Sequence, residues 1–303
     1  MTPIFEHTSA VLKLFILLGL LLFGALIGML TGLVLSALFY GLPVDQIFLD
    51  PGTSEGLQIA RMMQICGQLG LFVFPPLFYS LLVSRVPLKN LGFNKSPKTE
   101  IILFGVLTMY ICLPLIHFLG ELNHQMHLPE SMAALGQWMT DKEEQAALLS
   151  EQFLQVTTIS GLVFNLFMIA IIPAIGEELL FRGALQPLFI RLFKNVHLGI
   201  FITSLLFGMM HLQFFGLLPR VVLGLFMGYY FYYSKSLWVP ILMHFVNNGT
   251  AVIVYYLNHN GFILIEMESF GAVDSYWAVV LSLILVSAGI VFTARKAITK
   301  AEN

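Results

Sequence analysis

Residues 14–40 read LFILLGLLLFGALIGMLTGLVLSALFY, a run without a single charged side chain. About 20 apolar residues cross a bilayer core as a helix, so this run is a transmembrane helix by length and composition. The short N-terminus before it holds one basic residue, Lys13, and no small-residue cleavage site follows. It therefore reads as a retained span and not as a signal peptide. Seven further segments qualify: 58–83, 101–120, 155–178, 198–217, 219–234, 237–257 and 276–294, the segment 219–234 being the shortest. The expectation is one integral-membrane domain over residues 1–303, an all-α bundle of about eight transmembrane helices in a cell membrane.

Composition agrees. The chain is 58% hydrophobic and 11% charged, with a mean hydropathy of +0.86, whereas soluble domains are near one quarter charged. A net charge of −2 offers no basic surface for nucleic acid. Cys66 and Cys112 sit inside apolar runs and form no CxxC pair, which excludes a disulfide framework and a cysteine-based zinc site.

Charges between the apolar runs set the topology. Arg85, Lys89, Lys95 and Lys98 fall in 84–100; Arg182, Arg191 and Lys194 in 182–197; Arg295, Lys296 and Lys300 at the C-terminus. The intervening loops are acidic, with Asp45, Asp50 and Glu55 in 41–56, a surplus of acids over one lysine in 121–153, and Glu266, Glu268 and Asp274 in 258–275. Alternation of this kind places both termini in the cytoplasm by the positive-inside rule. Segment 121–153 is too polar to span and is either an interfacial or external helix or a solvated loop. Gly24, Gly28 and Gly32, and again Gly224 and Gly228, recur every four residues. They are either close-packing helix faces or ordinary membrane-helix glycine.

Charged groups in a span cost roughly 2.5–3.5 kcal/mol each on insertion scales, so each one is a functional candidate. Residues 155–260 hold a compact set: Glu177-Glu178-Leu-Leu-Phe-Arg182, then Phe207-Gly-Met-Met-His211, then His244-Phe-Val-Asn-Asn248. Arg61, Gln64 and Gln68 make a separate polar stripe that snorkels or bridges helices. Residues four apart share a helix face. Glu178 and Arg182 therefore pair, while Glu177 points about 100° away, and His244 and Asn248 aim at one spot.

Two uses of this set remain open on spacing alone. Peptide hydrolysis needs an activated water and donors for the oxyanion, and Glu177 with His211 suits the first task, His244 with Asn248 the second. Alternatively Glu177, His211 and His244 form a zinc set with an open position. There is no HExxH helix and no G-x-S-x-G elbow, and the Asp residues fall outside the spans. The blander readings are a structural Glu178–Arg182 pair, a helix-bridging His211, and a local bend at Asn247-Asn248-Gly249.

These three motifs, in this order and in apolar segments, resemble those of the CAAX protease and bacteriocin-processing enzyme family, which includes the type II CAAX prenyl endopeptidases. The resemblance covers residues about 155–260. It implies an intramembrane endopeptidase acting on a peptide or membrane-protein substrate near the cytoplasmic face, with or without a divalent metal such as zinc. Glu177 would be the general base and His211 its partner, His244 and Asn248 would hold the oxyanion, and Glu178 and Arg182 would support the site. Members of the family also include non-catalytic scaffolds and bacteriocin-immunity proteins. A proton-coupled transporter is a third reading, weakened by the lack of an inverted repeat.

Overall fold

The structure, a computed structural model, describes residues 3–41, 51–126, 128–265, 270–273 and 275–298. Asp45, Asp50, Glu266, Glu268, Asp274 and Lys300 lie outside the described residues. The chain is 82% helical, without a strand among the described residues. We number the helices α1 (Ala10–Tyr40), α2 (Ser54–Val83), α3 (Pro87–Leu91), α4 (Thr99–Ile111), α5 (Leu113–His124), α6 (Ala133–Leu154), α7 (Ile159–Phe193), α8 (Val196–Met209), α9 (Leu217–Ser234), α10 (Trp238–His259) and α11 (Tyr276–Ile298).

All eight apolar segments are helical, and their lengths differ from the sequence reading in instructive ways. Five helices are long and apolar enough to cross a membrane: α1, α2, α7, α9 and α11. A sixth crossing is the pair α4 and α5, bent by 44° where Pro114 lacks the N–H that would bond the carbonyl four residues back. Helix α8 is a shorter apolar helix of 14 residues, and α10 has 22 residues but carries His244, Asn247 and Asn248. Most of the exposed side chains on α1 and α11 are apolar, Leu22, Phe23, Leu38, Leu281 and Ile284 among them, as lipid-facing surface requires.

The fourth segment does not end at 178. Helix α7 runs from Ile159 to Phe193, and Arg182, which the charge pattern assigned to a loop, is completely buried inside it. Glu177 therefore lies near the middle of a long helix and not at its cytoplasmic end. The fifth segment is shorter than 198–217, since α8 ends at Met209. His211 sits in the turn beyond it, followed by Leu212 at φ 51°. Counting about 1.5 Å per residue, Glu177 is about 24 Å from the end of α7, and His211 is about 22 Å from the start of α8. The two helices form a tight hairpin through Lys194 and Asn195, so these depths match.

Segment 121–153 carries helix α6, mostly exposed, with Phe153 buried at its end, so it is a helix and not a loop. The glycine stripes are packing faces. A Cβ on Gly24 would lie 2.2 Å from the Gly70 carbonyl oxygen, and one on Gly28 would lie 2.5 Å from that of Cys66. The backbones of α1 and α2 are thus in direct contact. Arg61 bridges helices, donating to the Phe153 carbonyl at 3.3 Å; Asn165 donates to the same oxygen at 2.7 Å. Both cysteines are free and buried.

Three stretches widen to π-helix: Leu69–Val73, Leu166–Ile171 and Leu179–Leu185. Each is followed within two residues by proline, at Pro75-Pro76, Pro173 and Pro187. A proline ring collides with the carbonyl four residues back, and a wider turn relieves the collision. Such turns are common at functional sites, and two of the three flank the glutamate pair.

Candidate active site

Helix α7 supplies the acids. Pro173 starts the α-helical turn Ile172–Glu178 between the two π stretches, and Gly176 lets α2 approach: a Cβ there would be 2.9 Å from Cβ of Phe72. Glu178 is fully buried and Glu177 is 8% exposed. The two carboxylates have different neighbours. Arg182 Nη1 donates to Glu178 Oε1 at 2.8 Å, and His244 Nδ1 meets the same oxygen at 3.0 Å. Glu178 is thus held by Arg182, as the spacing predicts, and by His244 as well. A carboxylate only accepts, so the proton of this bond belongs to the imidazole. The opposite edge of the ring, Nε2, stands 4.0 Å from Glu177 Oε2, and that oxygen is buried without a hydrogen-bond partner among the described residues. His244 therefore stands between the two acids.

Arg182 joins α7 to α9. Its Nη2 donates to the Gly224 carbonyl at 3.1 Å, and one turn on, Gln186 Nε2 donates to the Gly228 carbonyl at 3.0 Å. Side chains four apart on α7 thus bond carbonyls four apart on α9. Gly228 has no room for a methyl group, because a Cβ would lie 2.8 Å from Ile200. The guanidinium also lies over the Phe207 ring, 4.6 Å from its centroid, an attractive cation–π arrangement.

Phe207 binds the motifs together. Its ring stands edge-on to His211 at 5.4 Å and to His244 at 5.9 Å. His211 Nδ1 bonds the Phe207 carbonyl at 3.0 Å, which leaves Nε2 free to accept. Glu177, Arg220 and His244 are the charged neighbours of His211. The turn that carries it is clamped from outside α8. Asn123, at the end of α5, donates to the Phe214 carbonyl at 3.0 Å and accepts from Leu218 N at 2.8 Å. On α6, Glu143 Oε2 accepts from Phe215 N at 3.2 Å. Leu212 is held at a positive φ costly for a non-glycine residue, by about 1–3 kcal/mol, so the clamps over-determine this turn.

Asn248 does not bend α10, which is continuous from Trp238 to His259. Its Nδ2 donates to the Ile169 carbonyl at 3.1 Å. Pro173, four residues after Ile169, has no N–H to offer that oxygen, and the asparagine supplies a donor to it from α10. One amide hydrogen remains for another acceptor. Asn247 donates to Asn248 Oδ1 at 3.1 Å, fixing the amide's orientation.

Two residues near the site escaped the sequence reading. Arg220, on α9, donates to the carbonyl and side-chain oxygens of Gln213 at 3.0 and 2.5 Å and has Glu143 and Glu177 as charged neighbours. An arginine in an apolar run is the same signal that marked Arg182. Asn123 gave no such signal, because its role rests on a loop 91 residues away. For a metal the arrangement is less suited: among the described residues no three of His, Cys, Asp and Glu stand together as a ligand group. Glu177, His211 and His244 do not form such a group.

Residues 159–250 match the family model described as Type II CAAX prenyl endopeptidase Rce1-like. The match contains all three motifs and falls inside the 155–260 region whose motifs resemble that family. No curated protein and no solved structure matches the chain.

Proposed function

We propose that this protein is a CAAX-protease-like intramembrane endopeptidase that hydrolyses a peptide bond with a water activated by Glu177. The observation that carries this reading is the His244 imidazole set between Glu178 and Glu177, at 3.0 and 4.0 Å, within a region that matches the endopeptidase family model. A water beside the unpartnered Glu177 Oε2 gives one proton to that carboxylate while its other O–H donates a hydrogen bond to His211 Nε2, and the resulting hydroxide attacks the scissile carbonyl. His244, held by Glu178 at Nδ1, donates Nε2–H to the developing oxyanion; Asn248 adds its remaining amide hydrogen. Glu177 then passes its proton to the leaving amine. Glu178, Arg182 and Phe207 do not touch the substrate in this scheme and serve to position His244 and His211.

Residues 155–260 form the catalytic core in this reading, and the remaining helices enclose it. Both termini and the loop 84–100 face the cytoplasm, in line with the basic residues there. The substrate class to test first is the one in the matched model's name, a prenylated C-terminal CAAX peptide. The experiment compares the purified chain with Glu177→Gln on fluorogenic CAAX peptides with and without the prenyl group, beside an unrelated membrane peptide library. Cleavage by the native chain alone supports the proposal. No cleavage of any peptide, or equal cleavage by both proteins, refutes it, and the first of these results favours a non-catalytic scaffold or immunity protein.

A further inference from the structure

A second polar site lies at the basic end of the bundle, away from the glutamate pair. A cavity of ≈ 50 Å³ opens between the start of α1, the end of α2, α3 and the last turns of α7, lined by Lys13, Tyr79, Asn90 and Arg191, with Gly183 and Pro187 as its floor. On the same measure one water needs about 10–15 Å³, so the space takes a group of phosphate size. Lys13 is only 7% exposed, inside the first turn of a span, a costly place for an ammonium. One of its three hydrogens goes to the Glu6 carbonyl at 2.8 Å. The Glu6 carboxylate is turned to Arg85 Nε at 2.8 Å. Among the described residues no carboxylate comes within 4.0 Å of Lys13 Nζ or of the Arg191 guanidinium, although Lys13 and Arg191 are close enough to repel. Tyr79, 3% exposed, makes no hydrogen bond among the described residues, and its hydroxyl has Arg191 as its charged neighbour.

The acidic neighbour of Lys13 among the described residues is Glu6, whose carboxylate is turned to Arg85, so the two like charges and the Tyr79 hydroxyl face a cavity where an anion would be favoured. We propose that this cavity binds a phosphate group carried by a net-negative molecule, with Lys13, Arg191 and the Tyr79 hydroxyl as donors and Asn90 at the rim. Arginine and lysine suit phosphate oxygens, the first through its planar fork. Basic pockets between helices at the cytoplasmic interface are the usual seats of anionic lipid headgroups, and Asn90 belongs to the basic segment 84–100, which holds Arg85, Lys89, Lys95 and Lys98. The floor belongs to the π stretch that holds Arg182, so an occupant would rest on the segment that carries the site's buried ion pair. The proposal is independent of the peptidase reading.

The test measures the melting temperature of the detergent-purified full chain against titrated phosphatidylglycerol, phosphatidylcholine and, at constant ionic strength with chloride, inorganic phosphate. Phosphatidylglycerol should raise it saturably and phosphatidylcholine should not. Arg191 is exposed, so Arg191→Gln should fold normally and shift the phosphatidylglycerol midpoint about tenfold, the loss of one charge-assisted contact. Lys98→Gln, a loop lysine outside the cavity, should titrate like the native chain. A response to inorganic phosphate that Arg191→Gln also weakens identifies a free-phosphate site; a response to the lipid alone identifies a headgroup site. The proposal fails if phosphatidylcholine acts equally, if none of the three ligands shifts the native chain, or if Arg191→Gln and Tyr79→Phe both titrate like the native chain.

Discussion

The two adjacent glutamates should fail in opposite ways when altered. Arg182 and Glu178 are both completely buried, joined at 2.8 Å, and Arg182 also holds the Gly224 carbonyl and covers Phe207. Arg182→Met keeps most of the volume but leaves a buried carboxylate with only His244, and breaking one side of a buried pair costs roughly 3–5 kcal/mol. For a chain of this size 1 kcal/mol moves the midpoint by about 2–4 °C, so the melting temperature should fall by about 6–20 °C. Glu177 has no partner on its own helix, and its Oε2 bonds nothing among the described residues. Glu177→Gln removes no hydrogen bond at that atom and removes a negative charge beside Glu178, so the midpoint should move by less than about 1 kcal/mol in equivalent stability. Cleavage should nevertheless vanish, because an amide cannot take a proton from water. The assay is detergent melting in parallel with peptide cleavage for Arg182→Met, Glu178→Gln and Glu177→Gln. An active Glu177→Gln beside a stable, inactive Glu178→Gln would show that the acids have exchanged roles. A native-like melting curve for Arg182→Met would refute the assignment of the ion pair as the fastening between α7 and α9.

Asn248→Ala should leave the Ile169 carbonyl unpaired, cost about 1–3 kcal/mol and abolish cleavage, whereas Asn248→Asp should restore neither, having no N–H to donate; melting and cleavage of both variants check this. Gly28→Ala would drive a methyl group to 2.5 Å from the Cys66 carbonyl, a backbone collision no rotamer relieves, and should cost about 1–3 kcal/mol, measured as lost folded yield on gel filtration. Dialysis against a chelator should leave cleavage intact, since no three-ligand group is formed; activity lost to chelation and restored by zinc would overturn that expectation. Single cysteines in 84–100 and after 295, on a background with Cys66 and Cys112 replaced, should be labelled only from the cytoplasmic side, and those in 121–153 only from outside. Labelling of the two termini from opposite faces would exclude the proposed orientation.

What the sequence reveals and what it hides follow from the same physics. Hydropathy finds the apolar helices because lipid tolerates few exceptions over some 20 residues, and it misplaces ends wherever a charge is buried in protein instead of water. Arg182 looks like an interfacial residue on a hydropathy profile; its neutraliser, Glu178, is four residues away and its other partners lie on α8 and α9. The glutamate–arginine spacing was legible because it is local. His244 as the second partner of Glu178 was not, since that contact joins residues 66 apart. The turn that carries His211 was hidden for a similar reason: Asn123 and Glu143, which clamp it, lie in segments that spacing alone cannot bring near. Asn248 occupies a middle case. Its position in the third motif is visible, and so is Pro173, but the Ile169 carbonyl that the asparagine bonds becomes evident only when α7 and α10 are placed side by side. That bond joins residues 79 apart, and like the contact of His244 with Glu178 it is a link that spacing within one helix cannot reveal, because a donor on one helix finds its acceptor only through the packing of the two.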